Sequence, residues 1–227
     1  MSWFANYVRS SIGKKQVMAV TGLGLVLFAI VHMVGHLGMF AGQDGYNSYA
    51  AFLQGLGALK WVARGGLLAI FLLHMFTGIS LAAANRAARP VAYAMYTPRT
   101  STPMSRYMAM TGVVIFAFVV YHLMHFTFGQ IQPEFFHLPD PKGRPDAYTM
   151  FVRGFQSLPI FISYAVAVFL LSAHLAHGAS SWLQSLGLRH PKYKLDKLGP
   201  ALTAVLFIGY MAPPVAVVAN IIRLPGA

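Results

Sequence analysis

Residues Val17 to Phe40, VMAVTGLGLVLFAIVHMVGHLGMF, form an apolar run of 24 residues without a charge. As a helix it reaches roughly 36 Å, enough to cross a hydrocarbon layer of about 30 Å. The run also carries His32 and His36, four residues apart and so on one helical face. An imidazole in such a layer has no water to bind and needs a polar partner or a metal. The pattern recurs with His74 in LLAIFLLHMFTG, His122 and His125 in FAFVVYHLMHFTFG, and His174 and His177 in FLLSAHLAHGASSW.

Gaps between charges mark five spans, at about 17–40, 62–84, 107–132, 159–183 and 198–222, in one membrane domain covering 1–227. With 57% hydrophobic and 10% charged residues, the chain is expected to be an all-α integral membrane protein, a bundle of five transmembrane helices. The first run is too long for a signal h-region and lacks a small-residue cleavage site, so the first helix is expected to stay. The absence of cysteine excludes disulfides, iron–sulfur clusters and thiol catalysis on this chain. The net charge of +12 does not point to nucleic acid, because the basic residues are scattered over loops and form no folded face.

Those charges instead set topology. Eleven basic residues lie in the amino terminus (Arg9, Lys14, Lys15), the second loop (Arg86, Arg89, Arg99, Arg106) and the fourth (Arg189, Lys192, Lys194, Lys197). The opposite side holds Asp44, Glu134, Asp140 and Asp146. The positive-inside bias then places the amino terminus in the cytoplasm and the carboxyl terminus outside. Trp3, Trp61 and Trp182 fall at span edges, as interfacial aromatics do. The first loop is expected to hold a short interfacial helix from Asn47 to Leu56. The third, rich in Pro, Gly and Asp, is expected to be an irregular outer cap with a solvated His137. The fifth span, with Pro200, Pro213 and Pro214 and no histidine, should be a packed, kinked support. No repeat and no internal symmetry is expected.

Depth sorts the histidines into layers. His32 and His122 each lie roughly 22 Å above the start of an outward span, and His74 and His174 roughly 18 to 21 Å below the outer surface on inward spans. Two layers, each with one imidazole from each of two helices, suit two planar porphyrins held between opposed histidines. Gly22, Gly24, Gly35, Gly38, Gly78, Gly112 and Gly178 thin the helices nearby, although small residues also mediate ordinary helix packing. His36, His125 and His177 remain open as alternative ligands or as hydrogen-bonding groups behind a ligand. Zinc is disfavoured, since it wants four convergent ligands and no carboxylate or thiolate is near.

The segments SSIGKKQVMAVTGLGLVLFAIVHMVGHL, DGYNSYAAFL, YHLMHFTFG and AHLAHGASSWLQSLG resemble the single-chain, five-helix, di-haem cytochrome b anchor of succinate dehydrogenase and fumarate reductase, over about Ser10 to Gly187. The resemblance implies two b-type haems. His32 and His122 would bind the haem distal from the soluble subunits, and His74 and His174 the proximal one. It departs at His36, where an amide residue is expected in relatives. It further implies a succinate:quinone oxidoreductase in the prokaryotic cytoplasmic membrane, with the dicarboxylate site, FAD and iron–sulfur clusters on partner flavoprotein and iron–sulfur chains. A membrane quinone, menaquinone by resemblance, would be the other electron partner. A higher-order oligomer of the complex is compatible with this. Arg86, Arg89, Arg189 and Lys192 are candidates to neutralise propionates of the inner haem. Relatives can use a helical glutamate for quinol protons, whereas here no carboxylate lies inside a span, leaving Asp44, Glu134 or His36. Two alternatives are a di-haem anchor for a hydrogenase or nitrate reductase and a haem-free transporter.

Overall fold

The computed structural model describes residues 2–89, 91, 103–188 and 198–226. These residues form helices α1 (Trp3–Arg9), α2 (Ser11–Leu37), α3 (Gly42–Gln54), α4 (Ala58–Ala87), α5 (Pro103–Phe126), α6 (Ala147–Gln156), α7 (Leu158–Ser185) and α8 (Leu198–Val218). Short 3-10 turns lie at Gly38–Ala41 and Pro133–Phe135, and one isolated bridge joins Pro139 and Pro145. Five helical segments, beginning at Ser11, Ala58, Met104, Leu158 and Gly199, are long and apolar enough to cross a membrane. The chain is a multi-pass, all-helical membrane protein. Val20, Val31, Val34, Phe76, Val166 and Phe169 project from the bundle. Such surface is untenable in water but suits hydrocarbon.

The first span starts earlier than its charges suggest, because Ser10 caps α2 by accepting the Gly13 N–H at 3.0 Å and the lysines that follow ride the first turns. The third span ends at Phe126, not near Gln132. Gly129 and Gln132 both take positive φ there (62° and 54°), which turns the chain out of the helix. The helix expected in the first loop is present as α3, entered earlier than expected.

The third loop is irregular up to Asp146 apart from the 3-10 turn, as expected, but it is followed by a helix that was not expected, α6, whose N-cap Asp146 accepts the Thr149 N–H at 3.0 Å. Tyr148, Phe151, Val152 and Phe155 fall on one face of α6 and are all buried. With Met39, Tyr46, Ile160, Tyr164, Ala216, Val217 and Ile222 they form the packed core. That core sits at one end of the bundle, where α3 and α6 cover the ends of α7 and α8. His137 in the same loop is exposed, as expected. α8 packs against α2 and α7, with Leu206 and Pro213 fully buried.

Because α2 leads into α3 and α5 leads toward α6, and α3 packs on α6, helices α2 and α5 run toward the same end. α4 runs back along α2, and α7 back along α5, with Lys14 donating to Ser80 at 2.7 Å in the first pair.

Candidate functional site: paired histidines around a central cavity

Below the packed end, whose Phe151, Phe155 and Tyr164 reach it, α2, α4, α5 and α7 with part of α8 stand around a cavity of about 1790 Å³. This exceeds the roughly 300–1,000 Å³ of an ordinary ligand pocket. Its walls are apolar except for imidazoles and a few groups at the mouths. His32, His36, His74, His122, His174 and His177 line it, and His125 does not. Lys15, Arg106 and Asn85 line the end away from α3 and α6, where Arg86 and Arg89 had been expected; Arg189 and Lys192 lie outside the described residues, as do Arg99, Lys194 and Lys197.

The layers can be read from contacts. His32 and His122 have ring centroids 5.9 Å apart. Two imidazoles sharing one metal at roughly 2 Å each would place their rings at about that separation. Each of these residues lies eleven positions beyond a threonine, Thr21 or Thr111, on helices that run the same way. Thr21 and Thr111 therefore share a second level, about 16 Å along the axis. His74 and His174 sit at this level: a Cβ at Gly22 would stand 3.1 Å from His74 Cε1, and one at Gly112 3.8 Å from His174 Cε1.

Hydrogen bonds set the proton positions. His74 Nδ1 lies 3.1 Å from the Met18 carbonyl and 3.2 Å from Thr21 Oγ1. The Met18 carbonyl can only accept, so His74 carries its proton on Nδ1 and keeps a lone pair on Nε2. His174 Nδ1 lies 3.0 Å from Thr111 Oγ1, whose own proton goes to the Tyr107 or Met108 carbonyl at 3.1 Å. The hydroxyl is left as acceptor, so His174 takes the same tautomer.

A longer chain decides between His122 and His125. Gln132 Oε1, 3.2 Å from His125 Nε2, accepts its proton; His125 Nδ1 then accepts the Tyr164 hydroxyl at 3.0 Å. The Tyr164 oxygen is free to accept His122 Nδ1–H at 3.3 Å, which frees His122 Nε2. His125 has both nitrogens engaged and its side chain is buried off the cavity. His32 and His36 bring their Nε2 atoms to 3.1 Å, and His36 Nδ1 meets the Tyr46 hydroxyl at 3.0 Å. One of these Nε2 atoms donates to the other, so His32 Nε2 is engaged by His36. His177 lines the cavity, with no nitrogen so anchored among the described residues.

These contacts expose an internal repeat, correcting the expectation of no symmetry. MAVTGLGLVLFAIVH (18–32) and MAMTGVVIFAFVVYH (108–122) share Met, Ala, Thr, Gly, Phe and His at equivalent positions, and His74 and His174 are each followed four residues later by Gly78 or Gly178. Phe28 stacks on His32 at 5.2 Å, and Phe118 lies against His122 at 6.1 Å. Each half, α2 with α4 and α5 with α7, contributes one histidine per level.

The donor set fits a pair of flat tetrapyrroles better than a bare ion. Among the described residues no three His, Cys, Asp or Glu side chains converge as a metal cage requires. Two axial imidazoles per level are enough for haem iron. A Cβ at Gly178 would meet nothing within 4 Å, so cavity space reaches the helix backbone there. Comparison of the chain with protein families, with curated proteins and with solved structures gives no match, and the functional reading rests on residues and geometry.

Proposed function

We propose that this chain is the membrane-anchoring cytochrome b subunit of a succinate:quinone oxidoreductase, passing electrons between an iron–sulfur subunit and a membrane quinone, menaquinone by resemblance. The observation that carries the proposal is the set of two imidazole levels on one cavity, with three of the four Nε2 lone pairs held ready by hydrogen bonds at Nδ1. His32 and His122 would hold one haem b, and His74 and His174 the other. When bound, the two haems supply stepwise one-electron transfer along the bundle axis.

The chain's own residues supply position and environment. Apolar walls from α2, α4, α5 and α7 exclude water and keep the dielectric low around the cofactors. Lys15 and Arg106 at one mouth can neutralise propionate carboxylates. In the proposed orientation that mouth faces the cytoplasm, where the basic loops also offer a docking face to the flavoprotein and iron–sulfur chains.

Purified protein should be red, with a low-spin b-type spectrum and two haems per chain. His74→Leu and His32→Leu should each remove half. Flavin and iron–sulfur chains should co-purify, and succinate should reduce the haem. A colourless, folded preparation overturns the proposal; haem reduced by hydrogen and not by succinate overturns its succinate part.

A further inference from the structure

Thr21 and Thr111 occupy equivalent places in the repeat, and each reaches the Nδ1 atom of a histidine on the neighbouring antiparallel helix. A threonine inside a membrane helix ordinarily bonds only the carbonyl one turn back. Thr77 does this, donating to the Leu73 carbonyl at 2.6 Å. Thr21 and Thr111 make the same backward bond, to Val17 at 2.7 Å and to Tyr107 at 3.1 Å, and also present a lone pair across the helix interface. With the hydroxyl proton in the backward bond, the oxygen acts toward the histidine as acceptor, and at His74 the Met18 carbonyl, which can only accept, requires the same Nδ1–H. Both threonines are buried, leaving no water to take their place.

We infer that Thr21 and Thr111 are positioning residues for the His74 and His174 ligands, fixing the Nδ1–H tautomer and strengthening Nε2 as a donor to the inner haem. This inference rests on the two-haem proposal above. The two sites are unequal. His174 has Thr111 as its Nδ1 acceptor, whereas His74 keeps the Met18 carbonyl at 3.1 Å when Thr21 is changed.

A hydrogen bond at Nδ1 gives the imidazole more anionic character and favours the oxidised iron, and partners of this kind typically carry 10–100-fold in metal affinity. Thr111→Val keeps the side-chain shape and removes the acceptor. The expected result is two retained haems, with the midpoint potential of one component raised. A tenfold loss in preference for the oxidised state corresponds to about 59 mV for one electron. The component that shifts should be the one absent from His174→Leu. Thr111→Ser should hold the parent value, Thr21→Val should shift the same component less, and Thr77→Val should shift neither.

If Thr111→Val sheds the inner haem altogether, Thr111→Ser decides: normal loading and potential support the role of the hydroxyl, and loss there too overturns it. Unchanged potentials in a fully loaded Thr111→Val also overturn it, and leave the two-haem proposal standing. Parent protein without haem overturns the proposal itself, which separates the two failures.

Discussion

At the residue scale, histidines that look alike in the sequence stand in different hydrogen-bond surroundings. His122 and His125 both follow an apolar run, and nothing within three residues tells them apart. The distinction comes from Tyr164, on another helix, and from Gln132 in the turn after α5. The threonines were missed for a similar reason, because one hydroxyl in a span defaults to bonding its own helix. The repeated MAxTG was the signal that could have singled them out.

The loop between α5 and α6 shows a residue-scale effect that can be tested by pH. Burial pushes the Asp140 carboxyl up, but the Arg144 side chain, the Arg144 and Lys142 amides and Asn47 outweigh this and hold it at about 2. Its unfolded value is about 3.9, so its contribution is complete above that pH and is lost as pH falls through about 2. Asp146 is also held low: burial raises it, and bonds from Thr149, Asn47 and Gln43 prevail. Amide protection in α3 and α6, taken relative to the intrinsic exchange rate at each pH, should therefore be the same at pH 5 as at pH 7 and fall between about pH 4 and 2. Protection already falling at pH 6 would show that these carboxylates do not hold the loop.

At the element scale, the five spans were legible because charges cannot be stranded in hydrocarbon, so their gaps delimit helices. α6 was obscured because ten residues are too few for a span and its neighbours are turn-formers. Its Asp146 cap and the 148, 151, 152, 155 spacing were nonetheless present. α6 also carries more stabilising contact than its length suggests: Phe155 is 2% exposed and lies 4.6 Å from Phe151 and 4.9 Å from Tyr164. Phe155→Ala should destabilise the detergent-solubilised protein by about 3–5 kcal/mol. Phe76→Ala, on the outward face of α4 at 60% exposure, should stay within about 0.5 kcal/mol. Equal losses for the two would place the core elsewhere. The measurement is thermal or denaturant unfolding followed by near-ultraviolet circular dichroism.

At the scale of the whole molecule, a tightly packed end and a hollow middle divide the labour. The former sets the register of α2, α5, α7 and α8; the latter keeps room that four apolar helices would otherwise close. A cavity of about 1790 Å³ is a large forfeit of packing contacts unless something fills it, since lost contacts scale with the void. Gly178 tests whether that filler is the proposed inner haem. Leucine there would grow into space where an added Cβ meets nothing within 4 Å. In the helix itself the change is favourable by about 0.8–1 kcal/mol, because glycine is the poorer helix former. Gly178→Leu should therefore leave the haem-free protein as stable as the parent or more so, while halving the haem bound per chain. The absorption spectrum and unfolding of one preparation report both effects. Full haem content in that variant would mean that the space beside Gly178 is not where the cofactor lies, and the inner level would have to be rebuilt around other walls of the cavity.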